Sequence, residues 1–374
     1  MNITPLLDRY GIVHNTKDAY IGDKVALFYE YKFGRYPYYK DYNLSIPINS
    51  GTPQNVTREE LDEHITIALL NITDNIKCAN SSGLGVVDFE EWRPLYDINS
   101  VKKVVYKIAA IELTKKKYPE QTNSSVINKT AIEEYDKSAK EFLLETLSNA
   151  TNERNKTLWG MYGFPYCNYD AGFLKNSSLP PTLEDYRCKD TYRSFNDRMQ
   201  YIFNASQALY PSIYLNASTP ERNFRYVQAI MAETLRVARN YTPTPLPIYV
   251  YSKFEYDPLK KNCSFYTKED LCSTIVLPYV MGANGIIFWS SSSNMKDRCD
   301  IVRNFTNTTL GPFVKEVLNE SRVNGTLLPR YNETTILTFN ETCSTYLPKI
   351  VDFIDSRCPN YTSTAKPITT QNGA

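Results

Sequence analysis

The stretch GLGVVDFEEWRP, residues 83–94, sets a short apolar run directly against three carboxylates, Asp88, Glu90 and Glu91. The run reads as a buried strand, and the acids stand at its C-terminal exit. Outward from it, apolar segments of strand length alternate with segments of helical length. Strands are expected in KVALFYEY (24–31), TLWGMYGFPYC (157–167), ALYPSIYL (208–215), LPIYVYSKF (246–254) and NGIIFWSS (284–291). Helices are expected over 58–72, 100–119, 131–150, 222–241, 268–283 and 301–321, the fifth of these broken late by Pro278. In 222–241, Phe224, Val227, Met231 and Leu235 fall on one helical face. Strands alternating with helices predict a parallel α/β fold. Strands that are apolar throughout suit a sheet covered on both faces. No internal repeat and no Pro/Gly-rich linker divides the chain. The expectation is therefore a distorted TIM-like (β/α) barrel, a single catalytic domain over residues 1–330, followed by a C-terminal extension, 331–374, with a Thr-rich tail. In such barrels chemistry gathers at the C-terminal strand ends.

Composition narrows the function. Of 374 residues, 42 are Lys or Arg and 41 are Asp or Glu, a net charge of +1. Such a chain has no long-range field to hold nucleic acid, and a polyanionic ligand needs a local basic groove. Histidine occurs twice, at His14 and His64, which speaks against a His-based zinc site or a Ser-His-Asp triad. No metal or cofactor is expected. The eight cysteines form no CxxC pair, which points to disulfides in an oxidising compartment. Of 32 asparagines, 21 lie in N-x-S/T sequons, whereas chance gives about five. That excess points to the secretory pathway and to N-linked glycans. MNITPLLDRYG lacks the apolar core of a signal peptide, so a mature or trimmed form of a secreted protein is expected, extracellular or lysosomal. No run of eighteen apolar residues is present to span a membrane.

On a strand, residues i and i+2 share a face. Asp88 and Glu90 are thus expected to point together into the barrel mouth, with Phe89 packing outward. Two partly desolvated carboxylates on one face repel, so one is expected to keep its proton near neutral pH. A protonated acid beside an ionised one is what cleavage of a glycosidic bond requires. Alone, an Asp-x-Glu tripeptide at a strand end equally caps a helix or pairs with an arginine. The other strand ends add aromatics: Tyr29, Tyr162, Tyr214 and Trp289. Their rings can stack on sugar C–H faces, and Tyr hydroxyls can bond sugar hydroxyls.

From about Tyr10 to Leu328 the sequence resembles the animal hyaluronidases of the bee-venom and sperm type. GVVDFEEWRPLYDIN, LWGMYGFPYCNY, ALYPSIYLN and GANGIIFWSSS carry the resemblance, in family order. It implies that Glu90 is the general acid and that the nucleophile is the substrate's own acetamido oxygen. Asp88 would orient and polarise that group and help keep Glu90 protonated. Tyr162 and Tyr214 would hydrogen-bond it or its neighbours, Trp289 would floor the sugar subsite, and Tyr29 would line the groove. Glu91 is assigned a supporting role. Arg93 is read as a structural ion-pair partner, with contact to a uronate carboxylate as the alternative. The resemblance further implies a Cys167–Cys188 bridge and a link from Cys299 back toward the N-terminal region, although no cysteine precedes Cys78. Cys263–Cys272 and Cys343–Cys358 look like local pairs, but spacing does not fix connectivity.

The chain departs from the family pattern in four places. An opening F-x-x-x-W-N-x-P-like strand is missing, Met161 stands for an aromatic, Ser290 stands for a glycine, and Glu30 follows Tyr29 where Asp is usual. The implied activity is hydrolysis of β-1,4 bonds in hyaluronan, a glycosaminoglycan, with chondroitin as a further substrate. Two other readings are a non-catalytic glycan-binding or allergen relative that keeps the fold, and a chondroitin-preferring hydrolase.

Overall fold

The computed structural model describes residues 3–16, 22–174, 180–216, 218–240, 244–260, 264–323 and 335–358. The chain divides into two compact units, Ala19–Tyr162 with Asp197–Gln207, and Met1–Asp18 with Gly163–Asn196 and Ala208–Gln371.

The first unit is built on parallel strands. β1 (Val25–Tyr29) is followed by a short antiparallel pair, β2 (Tyr38–Tyr39) and β3 (Pro47–Ile48), and then by β4 (Leu84–Asp88) and β5 (Leu158–Met161). The parallel sheet runs β1-β4-β5, with Val25↔Leu84 through Tyr29↔Asp88 and Leu84↔Leu158 through Val87↔Met161 in register. Three successive residues of β4 are buried, so both faces of this strand are covered, as its unalternating sequence predicts. Gly85 is required there, because a Cβ would lie 2.7 Å from the Trp159 ring on the neighbouring strand. The helix Arg58–Asn75 links β1 to β4. Its start is fixed by a capping box: Glu60 N–H donates to Thr57 Oγ1 at 3.2 Å, and Thr57 N–H donates to Glu60 at 2.9 Å. Helices Val104–Lys117 and Ser124–Glu153 lie between β4 and β5.

Aromatic side chains fill the space between sheet and helices. Tyr36 stacks on Trp92 at 5.2 Å, Phe89 sits 4.3 Å from Tyr36, and Phe28 lies 4.7 Å from Phe33. His64 belongs to this core. It is fully buried, and its Nδ1 accepts the Arg35 N–H at 2.8 Å, which leaves Nε2 to donate to Thr146 Oγ1 at 3.0 Å. Burial pulls its pKa down to about 3, so it is a neutral packing residue.

The second unit contains the parallel pair β6 (Tyr249–Ser252) and β7 (Gly285–Phe288), with Tyr249↔Gly285 through Ser252↔Phe288 in register. Residues 208–215, expected as a full strand, add only two isolated parallel bridges, Leu209↔Ile248 and Ser212↔Tyr251. The cause is Pro211. The segment donates from Leu209 to Pro247 and from Ile213 to Tyr251, but the donor due between them belongs to a proline, which has no N–H. The helix Pro220–Asn240 buries Phe224, Val227, Met231 and Leu235, the face read from the sequence. The 268–283 segment accommodates Pro278 by widening: Lys268–Leu271 is α-helical, Cys272–Val276 is a π-turn, and Leu277–Val280 closes it. The helix expected from residue 301 begins earlier, at Met295.

Disulfide connectivity is partly as expected. Cys167 bonds Cys188. Cys272, however, bonds Cys343, 71 residues away, so neither the Cys263–Cys272 nor the Cys343–Cys358 pair forms. The reason is packing: the short helix Phe339–Cys343 lies against the Cys272 turn, a neighbour that local spacing could not reveal. Cys358 is also disulfide-bonded, while Cys263 and the tail beyond residue 358 lie outside the described residues. Cys299 and Cys78 are free thiols, so the bridge expected for Cys299 is absent. Among the described residues no helix is long and apolar enough to cross a membrane.

Candidate active site

The first unit assembles its candidate residues around the end of β4. The register pairs Asp88 with Tyr29 of β1. On the other side, the Tyr162 N–H donates to Val87 at 2.9 Å, which carries the ladder one step past β5 and sets Tyr162 beside Asp88. Tyr29, Asp88 and Tyr162 thus form one row across three strands. The strand itself stops at Asp88. Phe89 turns into the aromatic core, and Glu90 is placed by its neighbours rather than by sheet pairing. Its N–H donates to the Glu30 carboxylate at 2.5 Å. The Lys103 ammonium donates to the carbonyls of Glu90 at 2.5 Å and of Glu91 at 3.1 Å, and to the Tyr42 hydroxyl at 3.3 Å. The Arg93 guanidinium lies 4.0 Å from the Glu90 carboxylate, at the outer limit of an ion pair.

Electrostatics separates the two acids. Asp88 is pushed up to about 8, first by burial, then by the charges of Glu90 and Glu30 and by a hydrogen bond to Glu90. Its Oδ1 is buried without a hydrogen-bond partner. The Glu90 side chain is 45% exposed. The proton shared by the pair therefore rests on Asp88 near neutral pH, and Asp88 is the group that remains protonated. Glu30 is raised to about 7, chiefly by burial. Lys103 is lowered to about 8, by burial and then by the Arg93 charge. Glu91 accepts the Tyr31 hydroxyl, and its second oxygen is buried without a partner.

Glu30, Lys103, Tyr31 and Tyr42 complete this cluster and were not singled out by sequence reasoning as parts of it. Glu30 was noticed only as a departure, and the β1–β4 register is what brings it to Glu90. Lys103 had one legible signal: three acids within four residues need a nearby cation, and Lys102-Lys103 is the next basic pair beyond Arg93. Asp41 and Tyr42 both hold φ near +55°, a conformation that costs about 1–3 kcal/mol each in non-glycine residues and that aims Tyr42 at Lys103.

The second unit holds the other two predicted residues, and it brings them together. Tyr214 stacks on Trp289 at 5.8 Å, and the Lys253 ammonium lies 5.1 Å from the Tyr214 ring centroid. The residue after Trp289, Ser290, donates to Glu255 at 3.0 Å and accepts from Arg298 at 3.2 Å, and Arg298 also pairs with Glu255. The serine that replaces a glycine is thus tied into a buried ion pair, which fixes the backbone under the tryptophan. Among the described residues no group of three or more His, Cys, Asp or Glu is placed to hold a metal ion.

Comparison with known proteins points to one family. A family model described as hyaluronidase matches residues 1–332. The chain is 36% identical over 313 residues to a chondroitin hydrolase of Caenorhabditis elegans, covering 83% of this chain and 65% of that protein, so it spans just under two thirds of that relative's length. It is 32% identical over 320 residues to hyaluronidase B of Vespa velutina, covering 82% of this chain and 89% of the relative. Crystal structures of bee venom hyaluronidase match with a TM-score of 0.73 at 27% identity, covering 84% of this chain and 94% of that one, and, for the complex with a hyaluronic acid tetramer, with 0.74 at 26%. The fold class is that of these neighbours, a distorted TIM-like (β/α) barrel. With the family model spanning most of its length and its relatives agreeing, the chain belongs to the hyaluronidase family, glycoside hydrolase family 56.

Proposed function

We propose that the chain is a secreted endo-β-N-acetylhexosaminidase that hydrolyses the β-1,4 bonds of hyaluronan, and also of chondroitin, by substrate-assisted catalysis with retention. The observation that carries this is the acid pair at the end of β4, a buried Asp88 whose pKa the Glu90 charge helps to raise, beside a half-exposed Glu90. A protein nucleophile and its acid partner stand about 5–5.5 Å apart, and an inverting pair about 6.5–9.5 Å apart. Asp88 and Glu90 stand two residues apart at one strand end and act on each other directly, as neighbours on one side of the scissile bond. Asp88 is then not the nucleophile for a bond that Glu90 protonates, and the substrate must bring its own, the acetamido oxygen.

In this mechanism the pair enters the reaction with one proton. A sugar that covers the exposed Glu90 carboxyl desolvates it, and the proton moves along the hydrogen bond from Asp88 to Glu90. Glu90 gives that proton to the bridging oxygen as the bond from that oxygen to the anomeric carbon breaks. The acetamido oxygen forms the new bond to that carbon, giving an oxazolinium ion. Asp88, now a carboxylate with a free Oδ1, accepts the acetamido N–H. Water then attacks the same carbon, Glu90 takes its proton, and the two inversions leave configuration retained. Tyr162 hydrogen-bonds the acetamido group, Tyr29 lines the groove, and the Tyr214–Trp289 stack is a sugar-binding platform. Secretion, with N-linked glycans, is supported by the sequon density. The 36% identity to a chondroitin hydrolase favours a second reading, preference for chondroitin.

Reducing-end release from pure hyaluronan beside pure chondroitin tests all of this. Wild type should cut both, and Glu90→Gln should lose about 10³-fold or more in turnover with unchanged thermal unfolding. Release from chondroitin alone would establish the second reading. Release from neither polymer would make the chain a non-catalytic glycan binder, and full turnover in Glu90→Gln would remove Glu90 from its role.

A further inference from the structure

With a net charge of +1, a polyanionic chain can be held only by basic residues gathered locally. Such a gathering occurs in the second unit, among residues given no role above. The helix Met295–Phe305 continues through a π-turn, Thr306–Leu310. Along it Asp300, Arg303, Asn304 and Asn307 recur at i, i+3, i+4 and i+7 and form one face. Val302 and Phe305 on the other side are buried, so the apolar side of the helix is already used. The polar face lines a cavity of about 700 Å³, walled also by Leu6 and Arg9 of the helix Thr4–Tyr10 and by residues 354–357. Pockets of about 300–1,000 Å³ hold ligands of disaccharide size.

The charges in this cavity do not cancel. Asp355 is consumed locally: it accepts from Arg357 Nε at 2.8 Å and from Asn304 Nδ2 at 2.8 Å. The Arg357 guanidinium holds its carboxyl well below the usual carboxylate range. Arg9 donates only to a neutral group, Asn307 Oδ1 at 3.2 Å. The Arg303 side chain has no hydrogen bond or ion pair among the described residues. Two arginines are thus left against one carboxylate, Asp300. A single surplus positive charge matches one carboxylate rather than a multiply charged sulfate or phosphate cluster. Asp300 offers a hydrogen-bonding group that sugar hydroxyls take.

We propose that this cavity is a second, non-catalytic saccharide site that binds a uronate residue of the glycosaminoglycan chain, its carboxylate between Arg9 and Arg303. The proposal rests on the uronate-containing substrate proposed above. A polymer held there stays tethered to the enzyme between cuts, which raises the effective concentration of its other segments. Oligosaccharides too short to reach both sites gain nothing.

The test counts sites by calorimetry on the full chain carrying Glu90→Gln, so that hyaluronan tetrasaccharide is bound and not consumed. Two equivalents should bind, and one should remain in Arg303→Ala and in Arg9→Ala/Arg303→Ala. Arg303 has no partner to lose, so its single substitution keeps the fold. Glucuronate should compete at the lost site about tenfold better than glucose, as carboxylate recognition by arginine requires. In the active background, Arg9→Ala/Arg303→Ala should leave tetrasaccharide turnover unchanged and raise KM for long hyaluronan several-fold. One equivalent in the parent, two in the double variant, or equal competition by glucose would each overturn the site. Stoichiometry is read without catalysis, so two equivalents in a chain whose wild type cuts neither polymer would refute the proposed hydrolase and leave the second site standing.

Discussion

Asp88→Asn removes a charge that the fold carries at a cost and keeps the shape of the side chain. In the folded chain Asp88 titrates near 8, against about 3.8 for an ordinary aspartate. A carboxyl whose folded pKa is raised binds its proton more tightly than the unfolded chain does. The stability it contributes is complete below about pH 4 and is lost as pH rises through 8. Between pH 5 and pH 8 the folded protein must keep a proton that the unfolded chain has released. Three pH units at about 1.36 kcal/mol each give about 4 kcal/mol. Part of the elevation comes from Glu90 and Glu30, whose charges remain in the variant, so the expected gain of Asn over Asp across that window is about 2–4 kcal/mol. At pH 5 the variant should equal or fall slightly below wild type, because the amide replaces a carboxyl already protonated. Urea unfolding at pH 5, 6.5 and 8 measures this, followed by the fluorescence of Trp92 and Trp159, which are buried in the same unit as Asp88. Glu30, raised to about 7, titrates in both proteins and cancels in the difference. A stability difference that does not change with pH would show that Asp88 ionises normally, and the proton placement in the acid pair would fall with it.

Lys103→Met removes the donor that holds the Glu90 and Glu91 carbonyls and should lower kcat at least about tenfold with little change in KM, since it moves a reacting group and not a binding surface. Lys103→Arg should recover part of kcat and shift the alkaline limb of the pH profile upward, because arginine keeps its charge where Lys103, lowered to about 8, loses it. Replacing both Cys272 and Cys343 by Ser opens a 71-residue loop and should destabilise the second unit by about 4 kcal/mol on loop entropy, read from thermal unfolding with Trp289 fluorescence.

The parallel strands and the helix Pro220–Asn240 were legible because each depends on local periodicity. The two acids were legible as residues, but the strand stops at Asp88, so the i, i+2 rule did not place Glu90. The failures are all long-range. Pro211 was visible in ALYPSIYL, but the cost of its missing N–H depends on which carbonyl on the neighbouring strand it should have met. Cys272 found Cys343 because a helix 71 residues away packs on its turn. Glu30 and Lys103 come to Glu90 from a neighbouring strand and a following helix start, contacts that no spacing rule within 83–94 encodes.

The same limitation explains why the sequence reading named the two acids but gave the proton to Glu90, whereas burial raises Asp88. Repulsion between Asp88 and Glu90 is symmetric; burial is not. Phe89 draws Asp88 down toward the sheet while Glu90 sits past its end, half in solvent. Around them stand four carboxylates, Glu30, Asp88, Glu90 and Glu91, and two cations, Lys103 and Arg93. With Asp88 and Glu30 protonated, two negative charges face two positive ones. As pH rises through about 7 and then 8, Glu30 and Asp88 ionise and Lys103 begins to lose its charge, so the cluster passes from neutral to strongly negative within little more than one pH unit. A polyanionic substrate and a shared proton both require the neutral form. Under the proposed mechanism the burial of Glu30 and Asp88 therefore sets an acid-to-neutral working range.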